Sequence, residues 1–135
     1  MKRILLSSFV LLLMLSSFGQ VIRCKAYKST FTTKNETTDQ WAEWREWKDT
    51  DILTEIDLTT NRIKIFSEIN QVYDIMQDDG NYVDDDGDNV FEWYCKNEEG
   101  LMCSLRLINS ASDGSTSLYV DFANCRYLYL LYLLE

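Results

Sequence analysis

Hydrophobic and polar residues alternate through residues 90–107, VFEWYCKNEEGLMCSLRL. Phe91, Trp93 and Cys95 interleave with Val90, Glu92 and Tyr94; Leu101, Cys103, Leu105 and Leu107 interleave with Met102, Ser104 and Arg106. A period of two is the signature of a strand with one buried face. Between the runs, Asn97-Glu98-Glu99-Gly100 carries turn chemistry, and Gly100 accepts the positive φ that short hairpin loops often need. The stretch predicts a β-hairpin.

The same period recurs along the chain. Residues 21–33 read as a strand with Ile22, Cys24 and Ala26 on one face, and residues 51–58 as another with Ile52, Thr54 and Ile56 inward. Residues 62–66 return the chain with Ile63 and Ile65 inward, followed by 72–76 and, later, 118–122. Turn-forming clusters separate them: Thr59-Thr60-Asn61, Asp78-Asp79-Gly80-Asn81, residues 84–89, and the Ser/Gly/Asp stretch 109–117. The last run, RYLYLLYLL at 126–134, is apolar on both faces and too short for a membrane helix. It predicts a closing strand buried on both sides, or one whose outer face is covered by the tryptophan-rich segment 41–47. No 3.6-residue period follows residue 19. The fold class expected is all-β: a single antiparallel meander of about seven or eight strands closing into a small barrel or sandwich.

Residues 1–19 fit a cleaved signal peptide. Lys2-Arg3 precede an apolar run, and Ser17-Phe18-Gly19 places small residues at the −3 and −1 positions of a cleavage site. The β-domain is then 20–135, and a secreted or periplasmic location is expected. Loss of Lys2 and Arg3 lowers the 13 basic residues to 11 against 22 acidic ones, a net charge of −11. Such a surface repels nucleic acid and anionic lipid, and no membrane insertion is expected after cleavage. Histidine is absent, which removes His triads, His general bases and His metal sites. Proline is absent too, so no strand lacks an N–H donor.

Four cysteines in an exported chain suggest two disulfides. Cys95 and Cys103 flank the 97–100 turn symmetrically and predict one bridge. In a closed meander the first and last strands are neighbours, which predicts Cys24–Cys125 as the second.

Trp41, Trp44 and Trp47 recur at a spacing of three, so Trp44 points opposite to the other two in an ideal strand. They are candidate binding residues, as an aromatic platform for sugars or, with Arg45, a cation–π ladder. The segment looks like the Trp-x-x-Trp repeats of thrombospondin-type modules and the WSxWS box of cytokine receptors over these seven residues, without the cysteine-dense frame or fibronectin-like domain of either. The simpler expectation is that they cover a barrel end or an edge strand, with at least one of them buried. The acidic turns offer a candidate calcium site at Asp84, Asp86 and Asp88. The EF-hand template fails, since counting back from Gly87 puts Tyr82, and from Gly80 Ile75, where an acid is required. Asn35-Glu36-Thr37 matches the N-glycosylation acceptor, relevant only in a eukaryotic host.

Several elements together resemble a loose group of small exported β-domain proteins of Bacteroidota-type bacteria. They are Ile56-Asp57, Arg62-Ile63-Lys64-Ile65, Gln71-Val72-Tyr73-Asp74-Ile75, Asp86-Gly87, Trp93-Tyr94-Cys95 with Glu99-Gly100 and Cys103, and Leu118-Tyr119-Val120-Asp121-Phe122. The resemblance implies an exported β-domain and supplies no mechanism. The functional expectation is a small-barrel binding or interaction module without catalytic activity or cofactor, whose partner is a protein, a glycan or a small apolar ligand. The eight tyrosines and four tryptophans favour it, because amphipathic rings dominate recognition surfaces. The alternatives are an assembly subunit offering an edge strand, and a glycoside hydrolase using two of the many carboxylates.

Overall fold

Alternation becomes nine strands in the computed structural model, which describes residues 21–134; the segment read as a signal peptide lies outside them. They are β1 (Val21–Asn35), β2 (Gln40–Trp41), β3 (Lys48–Asp57), β4 (Arg62–Phe66), β5 (Gln71–Val83), β6 (Asn89–Asn97), β7 (Met102–Asn109), β8 (Thr116–Asp121) and β9 (Cys125–Leu133). All pairings are antiparallel, and no helix occurs among the described residues. From β3 to β9 each strand pairs with the next, and β1 pairs with both β3 and β9. That second pairing closes an eight-stranded barrel, so barrel rather than sandwich is the outcome. The two-residue β2 adds to the far end of β1, with Lys34 opposite Trp41.

The inward set is the one the period of two selects. Ile22, Ile56, Ile63, Leu105, Leu118 and Val120 are essentially inaccessible, and Trp93 is the largest side chain among them. The 90–107 hairpin forms as expected, with Phe91 opposite Leu107, Trp93 opposite Leu105 and Cys95 opposite Cys103. Its turn closes through Gly100 N–H to the Asn97 carbonyl and Asn97 N–H to the Leu101 carbonyl, with Gly100 at φ 86°.

The expected strand 72–76 proves longer. Asp78-Asp79-Gly80 does not turn the chain; β5 runs through it to Val83 with register shifts between Ile75 and Gln77 and between Asp78 and Gly80. Gly80 takes φ 91° and donates its N–H to Asp78 Oδ1 at 2.8 Å, so the residues read as a turn form a bulge. Because β4 pairs β5 only over Gln71–Asp74, the stretch beyond Ile75 has β6 on one side and an open edge on the other.

The disulfide expectations are corrected. All four cysteines are thiols. Cys24 stands opposite Leu133, and Cys125 opposite Thr33. Two residues near the starts of antiparallel neighbours lie at opposite ends of the seam, here about 27 Å apart at the usual rise. A disulfide needs Cα atoms within about 7 Å. Cys95 and Cys103 are register partners, but by the alternation of the ladder from Asn97 and Leu101 they form a hydrogen-bonded pair, the wider kind. Their thiols stay separate, and burial pushes both up to about 12.

Candidate functional site

The tryptophan segment lies along β1. β1 pairs β3 past a bulge between Ala26 and Lys28 as far as Ser29, and the backbone beyond finds new partners. Ala42 N–H donates to the Thr33 carbonyl and Arg45 N–H to the Phe31 carbonyl. Thr30 and Thr32, both buried, donate their hydroxyls to the carbonyls of Arg45 and Ala42. None of the three tryptophans is buried: Trp41 is half-buried, while Trp44 and Trp47 are 42% and 48% exposed. They act on the outer wall rather than in the core. Trp41 packs on the Arg126 guanidinium at 4.1 Å, and Trp44 meets Tyr119 edge-on at 6.3 Å. Asp121 joins the two clips, 2.9 Å from Arg106 Nη2 and 3.6 Å from Arg126 Nε, and Arg106 in turn lies 4.6 Å from the Tyr119 ring. Leu128, register partner of both Thr30 and Tyr119, is only 8% exposed beneath this cover. The outer face of the closing strand is thus covered by the segment, as one of the two expectations had it. Arg45 stacks on Phe31 at 5.5 Å, whereas Lys34 and Arg126 are the cations found at a tryptophan.

The second candidate set does gather. One carboxylate oxygen each from Asp84, Asp86 and Asp88 lies within 4.8 Å of the others. Much of this group is spent on the turn itself. Asp84 Oδ1 accepts the N–H groups of Asp86 and Asp88, each at 3.0 Å, and Asp88 Oδ1 accepts Ala111 N–H at 2.9 Å. These bonds tie the β5–β6 turn to the β7–β8 loop and give the Asp84 and Asp88 carboxylates structural partners, while the Asp86 carboxylate takes part in none of them.

A third place was not selected from the sequence: the barrel end where the β4–β5, β6–β7 and β8–β9 connections lie. One cavity there, of about 400 Å³, is lined by Glu68, Gln71, Tyr73, Glu99, Phe122 and Tyr127 among others. A second, of about 360 Å³, lies under the tryptophan segment, between Phe31, Glu46, Lys48, Tyr127 and Tyr129. Ser67, Glu68 and Tyr127 line both, so the two form one mouth. Its rings run in series: Phe31 to Tyr127 at 6.2 Å, Tyr127 to Phe122 at 6.5 Å, and Phe122 to Tyr73 at 6.3 Å.

The polar floor of this mouth is internally satisfied. Gln71 Nε2 donates to Ser67 Oγ at 3.0 Å and to the Tyr129 hydroxyl at 3.2 Å, while its Oε1 accepts from the Tyr73 hydroxyl. Burial raises the hydroxyl pKa of Tyr73 and of Tyr129, and Gln71 partly offsets the rise at Tyr129. Burial raises Tyr127 as well, with Cys125 beside it adding to the shift. All three are neutral at physiological pH. The site presents rings with a fixed amide at their base and the carboxylates of Glu68 and Glu99 in its lining.

The sequence held a signal for this site. Inner positions of a barrel strand normally carry aliphatic residues, yet the inward residues of β9 include Tyr127 and Tyr129, with Leu131 completing the row. No protein-family model, curated protein or solved structure matches the chain.

Proposed function

We propose that the protein is an exported, non-catalytic binding module that takes a small ligand into the open end of its barrel. The observation that carries the reading is the ring-lined mouth. Ligand pockets typically span about 300–1,000 Å³ and are lined by aromatic groups with a few placed polar ones. Cavities of about 400 and 360 Å³ sharing Tyr127 fit that description. The basic–apolar leader of residues 1–19 supports the export part of this reading. The rigid barrel behind the mouth supports binding with little rearrangement. The test is uptake of a neutral apolar fluorophore, N-phenyl-1-naphthylamine, by the protein lacking residues 1–19. Ser67→Trp places an indole in the part shared by both cavities and should abolish uptake with the melting temperature retained. Undiminished uptake in that variant would refute the assignment of the mouth.

One observation favours a second reading, assembly through an edge. β5 beyond Ile75 offers unpaired backbone, with Met76 and Val83 well exposed. Strand addition uses such an edge. Light scattering across a wide concentration range decides: a monomer throughout removes the reading for self-assembly.

A further inference from the structure

We infer that the larger cavity of the mouth selects an organic cation, an ammonium carrying alkyl substituents. This rests on the mouth being the ligand site and specifies its chemistry. Three rings line the cavity, Tyr73, Phe122 and Tyr127. Phe122 meets Tyr73 at 50° and Tyr127 at 87°, so the rings form the walls of a corner instead of a stack. Ring faces carry partial negative charge, and walls of this kind attract ammonium groups.

The lining polar groups narrow the choice further. Gln71 has spent its carbonyl oxygen and two N–H donations on Tyr73, Ser67 and Tyr129. Ser67 Oγ donates to the Ile69 carbonyl at 2.7 Å. Asn97 Oδ1 accepts the N–H groups of Glu99 and Leu101, which shape the turn. A neutral sugar, which needs free amides and hydroxyls around its own hydroxyls, finds the Gln71 amide, the Ser67 hydroxyl and the Asn97 amide oxygen engaged. The charged groups of the lining are a pair of carboxylates, Glu68 and Glu99. Both are exposed at the rim, and neither makes an ion pair among the described residues. No lysine or arginine lines this cavity. The second cavity differs in holding Lys48. Rings and uncompensated carboxylates together provide a negative field at short range, and the acidic surface of the chain adds to it at long range. A cation enters with its alkyl groups against the rings and its charge toward the rim. An anion is repelled, and a neutral apolar molecule gains only the ring contacts.

The experiment compares choline with its uncharged carbon isostere, 3,3-dimethylbutan-1-ol, by calorimetry and by chemical-shift changes at Tyr127 and Phe122. Choline should bind about tenfold more tightly than the isostere. Glu68→Gln combined with Glu99→Gln changes only exposed side chains and should cut that preference severalfold, leaving the part the rings supply. Equal affinity for the two compounds, or a choline affinity indifferent to the double substitution, would overturn the cation inference while leaving the mouth as a ligand site. Failure of both compounds while the neutral fluorophore still binds would also overturn it. If the fluorophore fails too, the mouth itself is not a ligand site.

Discussion

Asp121→Ala should unfasten the tryptophan segment from the barrel wall. The carboxylate lies between two guanidiniums, hydrogen-bonded to Arg106 and 3.6 Å from Arg126 Nε, with its side chain 18% exposed. The Arg106 contact is a charge-assisted hydrogen bond in a partly screened site, worth about 1 kcal/mol. The longer Arg126 contact contributes about 0.5 kcal/mol. Removing the anion also leaves two cations without a charge between them, which costs roughly another 0.5 kcal/mol. The sum is about 2 kcal/mol, and at about 3–5 °C per kcal/mol for a domain of this size the melting temperature should fall about 6–10 °C. The sign is informative, because deleting an acid from a chain of net charge −9 relieves general repulsion and would by itself stabilise it. Circular dichroism melts in low salt and in concentrated sodium chloride should show the deficit shrinking with salt. If Asp121 works by holding Arg126 under Trp41, the double variant with Trp41→Ala should lose less than the two single losses combined. Strict additivity, or a fall below about 2 °C, would refute the fastening argument.

Alkaline pH should destabilise the fold. Burial raises the Cys24 thiol to about 11 and those of Cys95 and Cys103 to about 12, so the unfolded chain gives up these protons first. The stability they contribute is complete below the unfolded thiol pKa of about 8.5 and is lost as pH rises toward the folded values. Denaturation midpoints should therefore fall steadily above that point, and a flat profile with native thiols ionising at the ordinary pH would contradict this. Thiol titration in denaturant without reductant should count four free cysteines, against very slow reaction in the native state; a lower count would show a bridge. Millimolar calcium should leave the melting temperature nearly unchanged, whereas a site saturated a hundredfold would add about 2.7 kcal/mol. A shift of several degrees that disappears in Asp86→Asn would establish an ion site.

The barrel was legible where one rule acts alone. The inward sets of β6 and β7 follow from a period of two, and the closure of β1 on β9 from a meander whose last strand is apolar on both faces. Reading failed where one residue type serves two geometries. Asp-Gly supplies positive φ equally to a hairpin turn and to a bulge, and at Gly80 the missing β4 partner left room for the bulge. The Cys24–Cys125 expectation had the right neighbours and overlooked direction, since antiparallel strands set start against finish. The tryptophans lie over the outer face of the closing strand, one of the two places expected of that strand, but none is buried and they cover neither a barrel end nor an edge strand. Their rings lie on Arg126 and Tyr119, residues about 80 positions away that no local pattern links to them. The mouth was missed because it is assembled from Phe31, Gln71, Tyr73, Phe122 and Tyr127, contributed by β1, β5, β9 and the turn before β9, and each alone reads as ordinary wall.

The seam between β1 and β9 runs over nine register pairs and ends with Leu134 N–H donating to the Arg23 carbonyl at 2.8 Å. The sequence of strands around the wall is therefore cyclic, and the position of the chain ends is a matter of covalent accident. A short linker from Leu134 to Val21, with new ends opened in the exposed 110–115 loop, would retain all eight wall pairings. It would turn β9–β1 into a local hairpin and make β7–β8 the pair of greatest separation along the chain. Loop closure between distant strands is the slow, entropically costly step of β assembly. Which seam zips last is thus set by where the ring is cut, and a permuted chain should reach the same barrel by a different order of events.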